Sequence, residues 1–336
     1  MKNYSFRPVK QIIIQSCIIM LLVITGCSVK KEKAMESEVS GEMVIFHAGS
    51  LSVPFHEIAD SFKIHYPDIN IKLEASGSVD AARKISDLGR EADIMASADY
   101  RVIEKLLIPD HTKWLIKFAA NEMAIAYDDD SKYAQELNSN NWFEVLLRDD
   151  VFYGRSDPDS DPCGYRSVLT ARLAEKYYNQ QNLAHNLLNK NKNFIRPKET
   201  DLLALLQSNA IDYIFLYRSV AEQHGLKYLP LPDSINLGNP MLSGHYKTAQ
   251  VEITGKKPGK KIKMLGEPMV YGITIPDQAP NRKAAKAFLH FVLSDNKGLE
   301  IMKKNGQPSL VPAYSKMFEQ IPEEFQKYVK ANKPEN

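Results

Sequence analysis

Cysteine and tryptophan are scarce in this chain, three and two in 336 residues. So few cysteines cannot build a disulfide framework or a four-cysteine zinc site. An excess of one charge is missing too: 43 Lys and Arg face 41 Asp and Glu, a formal net of +2. Lys2, Arg7 and Lys10 lie within residues 1–26, which hold no acid, so the chain beyond them carries −1. The basic balance is thus a property of the N-terminus, and no nucleic-acid partner follows from it. Internal repeats and low-complexity tracts are absent. About 300 residues remain after the N-terminal stretch, enough for two lobes of ordinary domain size.

The N-terminus has its own pattern. A basic start leads into the mostly apolar stretch Ile12 to Ile24, too short for a membrane span. It closes on Ile24-Thr25-Gly26-Cys27, which resembles a bacterial lipobox, whose cysteine is lipidated and becomes the new N-terminus. Residues 1–26 are therefore expected to be a lipoprotein signal peptide, with Cys27 anchored in the membrane by its lipid. Residues 27–41 are polar and charged without apolar period, and read as a tether. Cys17 leaves with the signal, so Cys163 stands alone.

Short strands and helices then alternate. Met43–Phe46, Ile69–Glu74 and Asp93–Ala96 read as strands, with helices after each, the first spaced by Phe55, Ile58, Ala59 and Phe62. A second set begins at the strand Glu122–Tyr127. It includes a helix over 141–148, a strand at 151–153, a long helix from Gly164 to about Tyr178, a helix over 201–207 and the strand Ile211–Tyr217. Met269–Ile275 reads as a return strand, and one helix from Arg282 to Lys304, stopped by Gly306, completes the first set. The class is α/β, with mostly parallel sheets flanked by helices. One lobe, 42–121 plus 272–334, is interrupted by another, 122–271. Two crossings between them make a hinge.

Helix starts carry the first chemical signal. Phe46 to Leu51 and Asp161 to Arg166 each set a small or polar residue where a helix begins, and such starts offer amides and a positive dipole end to anions. Ser50 and Ser78 add hydroxyl donors at two starts of the first lobe, although simple N-capping is the alternative for each. Asp157, Asp159 and Asp161 have the spacing of a calcium loop, but Pro162 and Val168 occupy its required Gly and Glu positions. Gly255 to Lys261 reads as a solvated turn rather than a phosphate loop, and His47, His224 and His245 lack metal spacing. Arg166 and Arg218 are expected to pair with acids of their own lobe.

Six segments occur in order: His47–Leu51, Ala75–Ser78, Ala96–Tyr100, Asp161–Ser167, Tyr217–Gly225 and Pro268–Pro276. Together they resemble the tungstate/molybdate-binding proteins of ABC importers, in the branch related to archaeal tungstate binders. The resemblance implies the two-lobed periplasmic-binding-protein fold of type II. It implies Ser50 and one of Ser76 and Ser78, with Ser78 favoured, as oxyanion ligands, joined by the backbone N–H of Cys163. That cysteine departs from the small residue usual in the family, and a thiol at a helix start can have a lowered pKa. Tyr246 and Tyr271 are candidates for a phenol donor, of which Tyr246 is preferred. Asp161 and Glu222 match the carboxylates that bond the metal atom of the oxyanion. Two carboxylates repel a dianion, but Mo(VI) and W(VI) expand from four to six oxygen ligands, which sulfur and phosphorus do not do comparably.

The implied protein is a monomeric, lipid-anchored extracytoplasmic receptor that hands tungstate or molybdate to a membrane permease. It has no cofactor and is not an enzyme. The alternatives are a receptor for sulfate, phosphate or another tetrahedral anion, whose binding would be strengthened or spared by losing Asp161 or Glu222, and an enzyme acting on an anionic substrate. Against the latter, no Gly-x-Ser-x-Gly elbow or other nucleophile–base motif is present.

Overall fold

The structure, a computed structural model, describes residues 39–255 and 259–331. The predicted signal peptide, Cys27 and nearly all of the tether lie outside these residues. Among the described residues, no helix is long and apolar enough to cross a membrane.

The chain enters through β1 (Gly41–Ala48), β2 (Ile69–Ser76), β3 (Ile94–Ser97) and β4 (Ile116–Ala120). It then builds β5 (Met123–Tyr127), β6 (Tyr153–Ser156), β7 (Ile195–Arg196), β8 (Tyr213–Tyr217) and β9 (Lys227–Pro230). A hairpin, β10 (Gln250–Thr254) and β11 (Lys261–Leu265), precedes the return strand β12 (Val270–Thr274). The first sheet has the order β2-β1-β3-β12-β4 and the second β7-β6-β8-β5-β9. One lobe is built on each.

Both sheets are mixed, four strands of each running one way and one running against them. β1 runs parallel to β2 and β3, but β12 runs antiparallel to β3 and β4. Likewise β6 is parallel to β7 and β8, and β5 antiparallel to β8 and β9. Helical crossovers keep strands parallel within a lobe, whereas β5 and β12 arrive from the other lobe in the opposite sense. Because β12 pairs from Val270 onward with β4, the return crossing lies between Leu265 and Val270, upstream of the 271/272 boundary expected from sequence.

Four helices carry or adjoin the residues singled out in the sequence: α1 (Ser52–His65), α2 (Ser78–Ser86), α3 (Pro162–Tyr177) and α4 (Arg218–Gln223). The spacing of Phe55 and Phe62 on α1 has its purpose in the C-terminal segment. The Phe62 ring packs edge-on against Phe288 and Phe291, at 5.2 and 5.5 Å between centroids, which binds residues from opposite ends of the chain into one core. The single helix expected over 282–304 is two, Arg282–Val292 and Gly298–Lys304. Ser294, Asp295 and Asn296 favour a turn, and Gly298 crosses so near Val292 that a Cβ would stand 2.4 Å from its Cα. The strand expected at 151–153 begins at Tyr153 instead, because the Asp212 carboxylate takes the Phe152 amide at 2.8 Å.

Candidate functional site

The first lobe offers two loops after parallel strands, and both serines lie in them. Ser50 sits in a tight turn, Gly49–Leu51, between β1 and α1; Ser78 opens α2. Neither serine caps its own helix. Gly77 holds the cap position of α2, and the Ser78 hydroxyl accepts instead from the Ala98 N–H at 3.0 Å, leaving its own proton to give. The amides of Val79 and Asp80 are not free for an anion, for both donate to the Ser160 carbonyl of the second lobe, at 3.1 and 3.3 Å.

Ser50 is oriented by a buried relay. Asn121 Nδ2 donates to the Tyr271 hydroxyl at 2.9 Å, Gln307 Nε2 donates to it at 3.3 Å, and Tyr271 donates to Ser50 Oγ at 3.0 Å. With two donors behind it, the phenol can only give its proton forward. Ser50 is thereby an acceptor toward the protein and a donor toward whatever enters the cleft. Tyr271 acts through Ser50 and its hydroxyl is already committed.

The second lobe brings two acids to the same place. Asp161 precedes Pro162, the first residue of α3, in extended conformation. Glu199 lies in a short turn after β7, and its N–H donates to Asp161 Oδ2 at 3.2 Å. Asp161 and Glu199 are 1% and 0% exposed, and Asp161 Oδ1 and both Glu199 oxygens have no hydrogen-bond partner. The Glu199 carboxylate also crosses to the first lobe: a Cβ on Gly49 would stand 3.1 Å from each of its oxygens. Burial pushes the Asp161 carboxyl up, and burial together with the Asp161 charge pushes Glu199 well above the usual carboxylate range. Buried acceptors without donors are costly, so the arrangement asks for a proton or an electrophilic centre between them.

Sequence reasoning missed Glu199. It followed the same signal as Ser50 and Ser78, a short strand leading into a helical turn, but strand β7 has only two residues and no apolar alternation. Glu222, expected as the second carboxylate, is not brought to this pair. α4 is six residues long and buries Ser219, Val220 and Ala221, which leaves Glu222 on the rim at 36% side-chain exposure. There it pairs with Arg218 Nε at 3.3 Å and accepts from Tyr228 at 2.9 Å.

Tyr246 also falls elsewhere. Its hydroxyl donates to the Asp233 carbonyl and accepts from the Asn239 N–H, which uses it up inside the loop 233–239. Cys163 is buried at the second position of α3, and its thiol approaches the Phe215 carbonyl at 3.6 Å. Burial pushes the thiol well up, so the lowered pKa raised as an option is not found. Arg218 pairs with Glu122 at 2.9 Å as well as with Glu222. Arg166, expected to pair within its lobe, reaches across it to Asp99 at 3.2 Å.

Comparisons with known proteins give the family. The "Uncharacterized solute-binding protein" of Petrotoga mobilis is 51% identical over 300 residues, 88% of this chain and 92% of its own. The "Molybdate/tungstate-binding protein WtpA" of Pyrococcus abyssi is 43% identical over 334 residues, 91% of this chain and 94% of its own. Among solved structures, the periplasmic molybdate-binding protein of Azotobacter vinelandii superposes with a TM-score of 0.55 at 14% identity, covering 79% of this chain and 98% of that one. That likeness is one of fold, the type II periplasmic-binding-protein arrangement. Residues 43–307 match the model of the bacterial extracellular solute-binding proteins, and the chain belongs to that family.

Proposed function

We propose that this protein captures tungstate or molybdate between its lobes and presents it to the permease of an ABC importer. The observation that carries this reading is the buried pair Asp161 and Glu199, three of whose four carboxylate oxygens lack a hydrogen-bond partner, opposite the hydroxyls of Ser50 and Ser78. A tetrahedral dianion whose centre cannot take more ligands would meet two carboxylates as repulsion. A tungsten or molybdenum centre takes them as its fifth and sixth oxygen ligands, while Ser50, Ser78 and nearby backbone amides such as that of Cys163 hold the oxo groups. Selection is then by coordination, and the fit of charge alone would reject the ion.

In this reading Glu199 replaces Glu222 as the second ligand. The P. abyssi relative, named for the same ions, supports the ligand class. The remaining parts of the proposal are a lipid anchor at Cys27, a tether over 27–41, action as a monomer outside the cytoplasm, and binding without catalysis. The lobes are taken as 42–121 with the segment from 270 onward, and 122 to about 269.

The test is calorimetric titration with tungstate, molybdate and sulfate. The native protein binds the first two and not sulfate. Asp161→Ala and Glu199→Ala each lose about 100-fold or more, the scale of a lost charge-assisted contact, and no longer reject sulfate. Glu222→Ala binds as the native protein does. Tighter or unchanged binding in the Asp161 and Glu199 variants would instead favour a sulfate- or phosphate-type receptor.

A further inference from the structure

We propose that Arg166 is a positioning residue that ties closure of the lobes to assembly of the oxyanion site, through Asp99 and the Ala98 carbonyl of the opposite lobe. Arg166 lies on α3 of the second lobe, one turn after Asp161, and is 1% exposed. Its Nη1 donates to the Ala98 carbonyl at 2.9 Å and to the Tyr217 hydroxyl at 2.9 Å. Its Nη2 stands 3.2 Å from Asp99 Oδ2, and the neighbouring Tyr165 hydroxyl donates to that same oxygen at 2.7 Å. Ala98 is the residue whose amide orients Ser78. One residue thus connects the guanidinium of one lobe to a proposed anion ligand of the other.

The pair is built to open as well as to close. On its own lobe Asp99 keeps Arg101, whose Nη2 lies 2.7 Å from Oδ2. Arg166 keeps Tyr217 on its side. Separation therefore leaves Asp99 with an opposite charge and Arg166 with a hydrogen-bond acceptor, which lowers the cost that breaking a buried ion pair otherwise carries. Closing adds three charge-assisted contacts at Asp99 and Ala98 in a space that water leaves. The inference depends on capture between lobes and not on which oxyanion is captured.

Amide exchange reads closure directly, because Val79 and Asp80 donate their N–H groups across the cleft to Ser160. In the full protein, Tyr165→Phe and Arg166→Lys should speed exchange of these two amides about tenfold, with and without sodium tungstate. The amides of β1, paired wholly within the first sheet, should keep their rates. Tungstate should also dissociate faster from both variants at an unchanged association rate. Unchanged exchange at Val79 and Asp80 overturns the proposal, as does an equal acceleration in β1, which would mark a general loss of stability. A parent protein indifferent to tungstate removes the proposed ligand, and the ligand-free exchange rates then decide the role of Arg166 by themselves.

Discussion

Gly77 packs against Ser160 so closely that a Cβ on it would stand 2.2 Å from the Ser160 carbonyl oxygen. The two residues belong to different lobes. Gly77 has φ −56° and ψ 140°, a conformation any residue can adopt. Gly77→Ala is therefore harmless to the first lobe alone and obstructs only its approach to the second. We expect ligand-free thermal stability to change little and tungstate affinity to fall at least about tenfold, the range of a small overpacking penalty. Thermal unfolding and calorimetry on the same sample separate the two effects.

The relay behind Ser50 predicts a different balance. Tyr271→Phe takes away the acceptor of Asn121 and Gln307 and the donor to Ser50 in a fully buried setting. Stability should drop by about 1–3 kcal/mol, the cost of stranded buried donors, and oxyanion affinity should weaken with it. Urea unfolding gives the first quantity and titration the second. A loss of affinity without loss of stability would contradict the relay.

His47 makes the fold sensitive to acid. Burial lowers its pKa from 6.5 to about 4, partly opposed by its hydrogen bond to the Ala48 carbonyl. The unfolded chain takes up a proton at pH 6.5 and the native protein only near pH 4, so the stability held above 6.5 is lost as pH falls through that window. The size is on the order of 3 kcal/mol. Unfolding free energies from urea at about pH 7 and about pH 5 should differ by about 2 kcal/mol of this, and His47→Gln should flatten the difference.

For Asp161 and Glu199 the sign is reversed. An acid whose pKa is raised by folding holds its proton more tightly in the native state, so the contribution of these two groups to ligand-free stability is greatest at acid pH. It declines as pH rises above the ordinary glutamate value of 4.5. Metal coordination requires the unprotonated carboxylates, so binding should release a proton and strengthen with pH. Calorimetry near neutral pH in two buffers of different ionisation enthalpy would show the release; equal heats would count against it.

Cys163 should be inert. Its thiol is buried and its pKa pushed well up, so alkylating reagents should modify it only after unfolding. Reaction in the native, ligand-free protein would mean that the start of α3 opens to solvent.

The sequence made some features plain and hid others for identifiable reasons. The helix α1 and the strands β1 and β2 follow apolar spacing closely, since α1 turns one apolar face inward and the two strands pair with each other. Asp161 was legible only through the family resemblance, since an isolated acid ahead of a helix reads as a solvated loop residue. Glu199 was not, because nothing in a two-residue strand signals burial, and its significance arises from folding 38 positions of chain back onto Asp161. Glu222 carried a motif of the family resemblance yet faces the rim, a matter of which side of α4 packs inward. The Arg166–Asp99 contact joins segments far apart in the chain across two lobes, and local pattern carries no information on such a pairing.

The place of β12 between β3 and β4 fixes an order of events during synthesis. All strands of the second sheet, from Met123 to Pro230, emerge in one uninterrupted piece. The sheet that starts the chain must wait for Val270–Thr274 before its two portions can be joined. The later-made lobe can thus mature first, and the N-terminal half stays an unfinished edge until the return strand arrives.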